Sequence, residues 1–255
     1  MTKLLIVNAD DLGRAEGINA GIARAHREGI VTAATFMVNA PASASAGRLA
    51  RELPSLDVGV HLTLTYGRPL TEPSQVPSLV AADGTFPPKP AAFLGTGRAE
   101  FHEALLEYRA QFARASELLG RTPSHLDTHH WLHDEPALES AVAALARETG
   151  VAVREHAPAQ RDRFRAAGLR TTDTFRRDFQ HAGHIDVARL LKILAETTDG
   201  VTELMCHPGE PDAELAATSA YAADRAVELA TLCDPRVAVA VRENAITLAT
   251  FADCR

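Results

Sequence analysis

The chain has 255 residues, a hydrophobic fraction of 46% and a formal net charge of −7 at pH 7. This size supports one sizeable core, and the acidic balance without a block of Lys or Arg argues against nucleic-acid binding. No apolar run approaches the roughly 20 residues of a membrane helix. The three scattered cysteines predict a reducing, cytoplasmic setting. The sequence leaves the oligomeric state open and allows a homodimer.

Strand-like and helix-like segments alternate along the chain. Apolar runs predict seven strands, at 3–9, 32–38, 57–65, 124–127, 151–154, 201–206 and 237–241. Periodic apolar positions predict helices at 15–28, 43–53, 101–119 and 134–148, the last capped by Asp134, and a further helix that starts at Asp186. The segment from 155 to 184 is polar and permits no assignment.

One segment breaks this pattern. Residues 67–97 carry six prolines and four glycines without a helical or strand period, and we interpret them as an inserted loop that borders the site as a lid. The repeated strand–helix units imply a parallel sheet with right-handed crossovers, which fits a barrel or an open doubly wound sheet. In both architectures ligands bind at the carboxyl ends of the strands.

Polar side chains collect at those strand ends. Asp10 and Asp11 follow the first strand, His61 lies near the end of the third, and His207 follows the sixth. The stretch "SHLDTHHWLHD" around the fourth strand carries four of the eleven histidines. If the strands are parallel, all of these side chains meet in one crevice.

Each of these groups also has a structural explanation. The two aspartates could cap the following helix, and His61 could be a hydrogen-bonded core residue. The histidine-rich stretch could be a solvent-exposed loop, and His207 could belong to an ordinary turn. These explanations would leave unexplained why the polar clusters repeatedly fall where strands end.

A metal centre would explain the whole pattern. One Asp and two His with water completing the coordination shell form a catalytic pattern, because an open position remains for substrate. Two adjacent acids could then divide the work, one binding the ion and the other moving a proton. We expect them to leave the strand in opposite directions.

Four motifs occur in order along the chain: "NADDLG", "GVHLTLT", "SHLDTHHWLH" and "CHPG". Together they resemble the YdjC-like carbohydrate deacetylases, the family that includes chitooligosaccharide deacetylase, from Leu4 to about Val241. The resemblance implies a distorted TIM-like α/β barrel, with residues 1–255 as a single domain. It also implies the metal-dependent removal of acetyl groups from N-acetylglucosamine-containing sugars, so that the partner is a small acetylated sugar.

The resemblance also assigns roles by position. It implies that Asp11, His61 and His125 are the metal ligands, with Asp10 as the catalytic base and His207 as the acid. The ligand types alone suit Zn²⁺, whereas the family often carries Mg²⁺, so the identity of the one divalent ion stays open.

Four further residues are candidates for supporting the ligands or binding substrate. Asp127 and His129 could orient the ligands or the acid. Arg154, at the end of the fifth predicted strand, is a cationic candidate for supporting the ligands or binding substrate. Trp131 stands where the family usually has histidine, and could stack on a sugar or pack under the loop.

A second departure from the family pattern follows the "CHPG" motif. Glu210 stands where the family often has an aromatic residue. We expect this position and that of Trp131 to lie near the sugar, so the departures leave the acetylated sugar itself unidentified.

Two other functions fit parts of the pattern. A metal-dependent phosphoesterase would need a second metal or cationic residues placed for phosphate, and the motifs themselves contain no Arg or Lys. A non-catalytic metal-binding or sugar-binding protein would not need Asp10 and His207 in addition to the ligands.

Overall fold

Eight parallel strands form the centre of the structure, a computed structural model that describes residues 2–210, 215–216 and 219–254. The strands are β1 (Lys3–Leu12), β2 (Ala33–Phe36), β3 (Asp57–Leu62), β4 (His125–Thr128), β5 (Ala152–Val153), β6 (Thr174–Arg176), β7 (Gly200–Cys206) and β8 (Ile246–Leu248). They pair in the order β5-β4-β3-β2-β1-β7-β6, and β8 pairs with the amino-terminal half of β1. The predicted α/β barrel is confirmed: the sheet curls into a distorted, TIM-like half-barrel.

Eight α-helices with both ends among the described residues surround this sheet. They are α1 (Glu16–Glu28), α2 (Ser43–Glu52), α3 (Phe101–Leu119), α4 (Pro136–Thr149), α5 (Pro158–Ala166), α6 (Val187–Glu196), α7 (Ala222–Leu232) and α8 (Pro235–Glu243). None of the helices in the described part of the chain is both long enough and apolar enough to cross a bilayer. The unassigned segment 155–184 contains α5 and β6.

Two expectations about helices are wrong. The predicted strand 237–241 lies inside α8, where Val237, Ala240 and Val241 are buried at helical spacing. Asp134 does not cap α4, because the cap position is Glu135 and the Asp134 carboxylate lies 2.8 Å from His156 Nδ1.

The first strand continues through both aspartates instead of ending before them. Its pairing register with β2 shifts between Ala9 and Leu12, and Asp11 adopts a left-handed backbone conformation with φ of 72°. Such a bulge interrupts the alternation of side chains along a strand. The two carboxylates therefore need not point to opposite faces. They do not cap α1 either, whose cap position is Ala15 without a side-chain hydrogen bond.

The 67–97 loop packs firmly on the domain. Buried apolar side chains anchor it, namely Val76, Leu79, Phe86 and Phe93. Glu107 of α3 accepts hydrogen bonds from the backbone N–H groups of Leu70 and Thr71. The loop contains two 3₁₀ turns, Pro73–Gln75 and Pro90–Ala92. Pro90 lines a cavity at the carboxyl ends of the strands.

Candidate active site

A cavity of about 520 Å³ opens at the carboxyl ends of the strands. Its lining includes most of the residues singled out by the sequence, namely Asp10, Asp11, His61, His129, Trp131 and His207. Both aspartates face this cavity, which corrects the expectation that they leave the strand in opposite directions. The bulge at Asp11 is the reason, because it turns the second carboxylate toward the same side as the first.

Three potential ligand atoms converge on one point of the cavity wall. Asp11 Oδ1 lies 3.5 Å from His61 Nε2 and 3.3 Å from His129 Nδ1, and the two ring nitrogens are 3.2 Å apart. All three side chains are buried, and Asp11 Oδ1 accepts no hydrogen bond within the described part of the chain. We refer to these residues as the Asp11–His61–His129 cluster.

The surroundings of this cluster favour a cation. His61 Nδ1 lies 2.7 Å from Asp127 Oδ1, so a proton on Nδ1 leaves the Nε2 lone pair facing the cluster. Burial lowers the pKa of His61, but the carboxylates of Asp127, Asp10 and Asp11 outweigh it and raise the pKa to about 9, so that at pH 7 they hold a cationic ring whose Nε2 proton a metal ion would displace. A carboxylate oxygen and two imidazole nitrogens, all buried and close together, are a donor set that fits one divalent ion.

Arg225 of α7 fixes the orientation of the Asp11 carboxylate. Its buried guanidinium donates a hydrogen bond to Asp11 Oδ2, which leaves Oδ1 directed toward the two histidines. Burial alone would raise the pKa of Asp11, but Arg225 and His129 hold it well below its ordinary value. Asp11 is therefore ionised at neutral pH.

The structure does not bring His125 to this cluster. His125 begins β4, about 10 Å below the end of that strand at a rise of ~3.3 Å per residue. Its ring lies between Phe251, whose ring centroid is 3.5 Å away, and the backbone of Gly59. Its nitrogens contact Ser124 Oγ and Asn8 Oδ1. This position argues against His125 as a ligand and favours His129 in its place.

A buried ion network adjoins the cluster and contacts it through Asp127 and His61. The Arg154 guanidinium donates to both carboxylate oxygens of Asp10, at 2.7 and 2.8 Å, and to Glu203 Oε1 at 2.7 Å. It also lies 2.7 Å from Asp127 Oδ2. Because Arg154 has no exposed surface and is not among the cavity-lining residues, it orients Asp10 and Asp127 rather than contacting a substrate.

The same network sets the protonation of its acids. Burial would raise the pKa of Asp10, but Arg154 holds it well below its ordinary value, so Asp10 stays ionised. Burial raises the pKa of Glu203 to about 8 in spite of Arg154. At neutral pH one guanidinium therefore faces the charged carboxylate of Asp10 while Glu203 holds a proton.

His207 also lines the cavity. Its backbone N–H donates to the buried Glu228 of α7, and its Nδ1 lies 3.8 Å from Glu228 Oε1. Burial lowers the pKa of His207 to about 4, so the ring is neutral at pH 7. Glu210, three residues later, is not among the cavity-lining residues: it lies 3.7 Å from Arg24 on an exposed surface, contrary to the expectation that it is near the sugar.

Several residues of the site were not identified from the sequence. Glu203 gave a usable signal, because a single carboxylate inside the apolar strand "VTELMC" requires a buried partner. Arg225 and Glu228 gave none, since α7 has the charge pattern of an ordinary amphipathic helix. The pairing of Arg154 with Asp10 spans 144 residues, and only the folded chain reveals it.

Comparisons with known proteins give a consistent result. The family model described as YdjC-like protein matches residues 4–243. A carbohydrate deacetylase of Geobacillus stearothermophilus is 38% identical over 252 residues, covering 98% of both chains. A chitooligosaccharide deacetylase of Yersinia pestis is 36% identical over 258 residues, covering 100% of both. A crystal structure of a candidate cellobiose-phosphate cleavage protein from Enterococcus faecalis V583 is 31% identical, with a TM-score of 0.91 over 99% of this chain and 98% of that one.

Proposed function

The chain belongs to the family of YdjC-like proteins, and on that premise we propose that it is a metal-dependent hydrolase that removes acetyl groups from N-acetylglucosamine-containing sugars. The observation that carries this proposal is the Asp11–His61–His129 cluster, in which three buried ligand atoms converge at the wall of the cavity. The names of the relatives from Geobacillus and Yersinia support the sugar substrate.

Asp11 Oδ1, His61 Nε2 and His129 Nδ1 would hold the ion. Two imidazoles and a carboxylate suit Zn²⁺, while the resemblance to the family favours Mg²⁺. When bound, a divalent ion supplies Lewis acidity, which polarises an acyl carbonyl and lowers the pKa of water to about 7. Asp127 keeps the His61 ring in the tautomer that presents Nε2.

Asp10 is the proposed base. Its carboxylate lines the cavity next to the cluster, and Arg154 keeps it ionised at neutral pH, so an acceptor oxygen is present there, although the same guanidinium lowers its basicity. Because the same guanidinium disfavours protonated Asp10, a proton gained there is readily passed on. Positioned proton transfer of this kind typically contributes about 10²–10⁴-fold to the rate.

His207 is the proposed acid for the departing amine, which is too basic to leave as an anion. Since the ring is neutral at pH 7, the proton that it donates must be one that it gains during the reaction. Glu228 Oε1 lies 3.8 Å from Nδ1, but burial raises the pKa of Glu228 to about 8, so at pH 7 its carboxyl is protonated and supplies no counter-charge for the protonated ring. Asp10 and His207 line the same cavity, which supports a proton passing from one to the other.

A phosphoesterase remains the second candidate, because Arg14 and Arg225 line the cavity although no motif predicted them there. Both guanidiniums, however, face Asp11: Arg225 donates to it and Arg14 Nη1 lies 3.6 Å from its Oδ2. Their charge is therefore engaged with a proposed metal ligand, which supports the deacetylase.

Acetate release tests the proposal. The full chain, loaded in turn with Zn²⁺ and Mg²⁺, is incubated with N,N′-diacetylchitobiose and with 4-nitrophenyl phosphate. We expect acetate from the sugar, loss of activity with a chelator, recovery with added metal, and a fall of about 10²–10⁴-fold in Asp10→Asn. Release of phosphate without acetate would favour the phosphoesterase, and binding of sugar without turnover would favour a non-catalytic protein.

A further inference from the structure

Trp131, the chain's only tryptophan, lies at the wall of the cavity in the 3₁₀ turn His129–Asp134 that follows β4. Both His130 and Trp131 adopt left-handed backbone conformations, with φ of 60° and 57°. For residues other than glycine such a conformation is strained, and it persists only where the surrounding structure maintains it. Here Thr65 Oγ1 lies 2.9 Å from His130 Nδ1, and this contact helps the turn to keep the indole beside the cavity.

The indole is held by a cation. The Arg177 guanidinium, directly after β6, lies 4.5 Å from the centre of the Trp131 ring, a cation–π contact. No carboxylate of the described residues forms an ion pair with Arg177, although its side chain is exposed. The contact with Trp131 therefore helps to position this arginine, beside the carboxylate of Asp134 in the same small cavity.

The two residues face different spaces. Trp131 lines the main cavity and Arg177 does not, while Arg177 lines a smaller neighbouring cavity of about 340 Å³ together with His156 and Gln160. The Arg177 guanidinium and the His156 ring, whose centroid is 6.1 Å from that of Trp131, therefore contact the indole from the smaller cavity. Trp131 itself is half-buried and also lines the main cavity, so part of the indole is accessible beside Asp10 and the Asp11–His61–His129 cluster.

We propose that Trp131, held by Arg177, is the platform on which a second sugar residue of the substrate stacks while its neighbour is deacetylated. An indole offers a large, rigid apolar surface at low entropic cost, and the C–H face of a pyranose ring is its complement. The inference rests on the proposed function, because it places the reacting acetamide at the metal cluster. It predicts that the chain prefers a disaccharide to a monosaccharide.

Intrinsic fluorescence tests the contact directly, because all indole emission comes from Trp131. In the full-length Asp10→Asn variant, N,N′-diacetylchitobiose is expected to shift or quench the emission in a saturable way, and N-acetylglucosamine to do so much more weakly. The platform is overturned if neither sugar changes the emission, or if both change it equally with equal affinity.

Kinetics give a second readout. Trp131→Ala is expected to raise KM for the disaccharide about 3- to 10-fold, with kcat within twofold and KM for the monosaccharide unchanged. Trp131→Phe should retain part of the effect, and Arg177→Met should lose part of it. Arg242→Met, which removes an exposed charge from α8, is the matched control and should behave as wild type.

The two proposals fail in different ways. If the wild-type protein releases no acetate from either sugar, the deacetylase proposal is wrong, while the emission titration still decides whether a sugar stacks on Trp131. If acetate is released but Trp131→Ala raises KM equally for both sugars, the deacetylase stands and the platform is refuted.

Discussion

His129→Ala and His125→Phe separate the two ligand assignments for the proposed metal site. His129 Nδ1 lies 3.3 Å from Asp11 Oδ1, whereas His125 lies below the cavity with its ring stacked on Phe251. We expect His129→Ala to lose the ion and His125→Phe to retain it. Phenylalanine preserves the stack with Phe251 but cannot coordinate a metal.

The size of the effect follows from the number of ligand atoms. Loss of a group that merely orients a metal ligand typically weakens binding about 10- to 100-fold. Removing one of three ligands should therefore weaken binding by more than about 100-fold, or about 2.7 kcal/mol. His125→Phe leaves the buried amide oxygen of Asn8 without its partner, so it should lower the free energy of unfolding by about 1–3 kcal/mol, while metal affinity stays within about threefold.

Isothermal titration of metal-free protein with Zn²⁺ and Mg²⁺, with bound metal checked by elemental analysis, measures both quantities without reference to activity. His102→Ala, which removes an exposed imidazole from α3, is the matched control. Full occupancy in His129→Ala together with loss of the ion in His125→Phe would refute the geometric argument and restore the assignment drawn from the family resemblance.

Three further predictions concern stability and substrate choice. Because burial raises the pKa of Glu203 to about 8, the wild-type protein should lose roughly 3–4 kcal/mol of stability relative to Glu203→Gln as the pH rises from 5 to 8. Urea denaturation of both proteins measures this, and a difference in the free energy of unfolding that stays constant across that range would contradict it. Arg154→Met leaves buried carboxylates without a counter-charge and should lower the free energy of unfolding by about 3–5 kcal/mol; a loss below ~1 kcal/mol would show that the network is dispensable. Pro90→Gly, at the point where the 67–97 loop reaches the cavity, should change the ranking of acetylated sugars by kcat/KM more than it changes metal affinity, and an unchanged ranking would refute the lid.

The sequence predicted the helices with clear signals and misread those with conflicting ones. The helix 101–119 was placed correctly because its apolar period is strong and Gly120 ends it in a left-handed conformation. The run "VAVAV" at 237–241 alternates like a strand, yet Asp234 and Pro235 before it are a helix start, and the Asp234 carboxylate does accept the N–H of Arg236. The terminal signals were the better guide there.

The sequence predicted which residues meet at the site, but not how deep in the barrel each side chain lies. Strand ends indicate which side chains meet at the top of a barrel, whereas depth depends on register. His125 shares a layer with Asn8, Asp127 and Asp10 form the next layer with Arg154, and His129 lies beyond the strand end. A histidine-rich stretch offers several candidates, and only the register of β4 against its neighbours selects among them.

The half-barrel does not close among the described residues: β5 and β6 end the row of paired strands, and β8, which pairs only with β1, is a third edge strand. An open edge is a template for pairing with another chain, and short edge strands are a common protection against it. Here β5 has two residues and β6 has three, and the Val153 N–H on that edge is already bonded to Arg170 of the connecting segment. The gap in the barrel therefore presents few free backbone groups, which should limit edge-to-edge aggregation of the folded chain at high concentration.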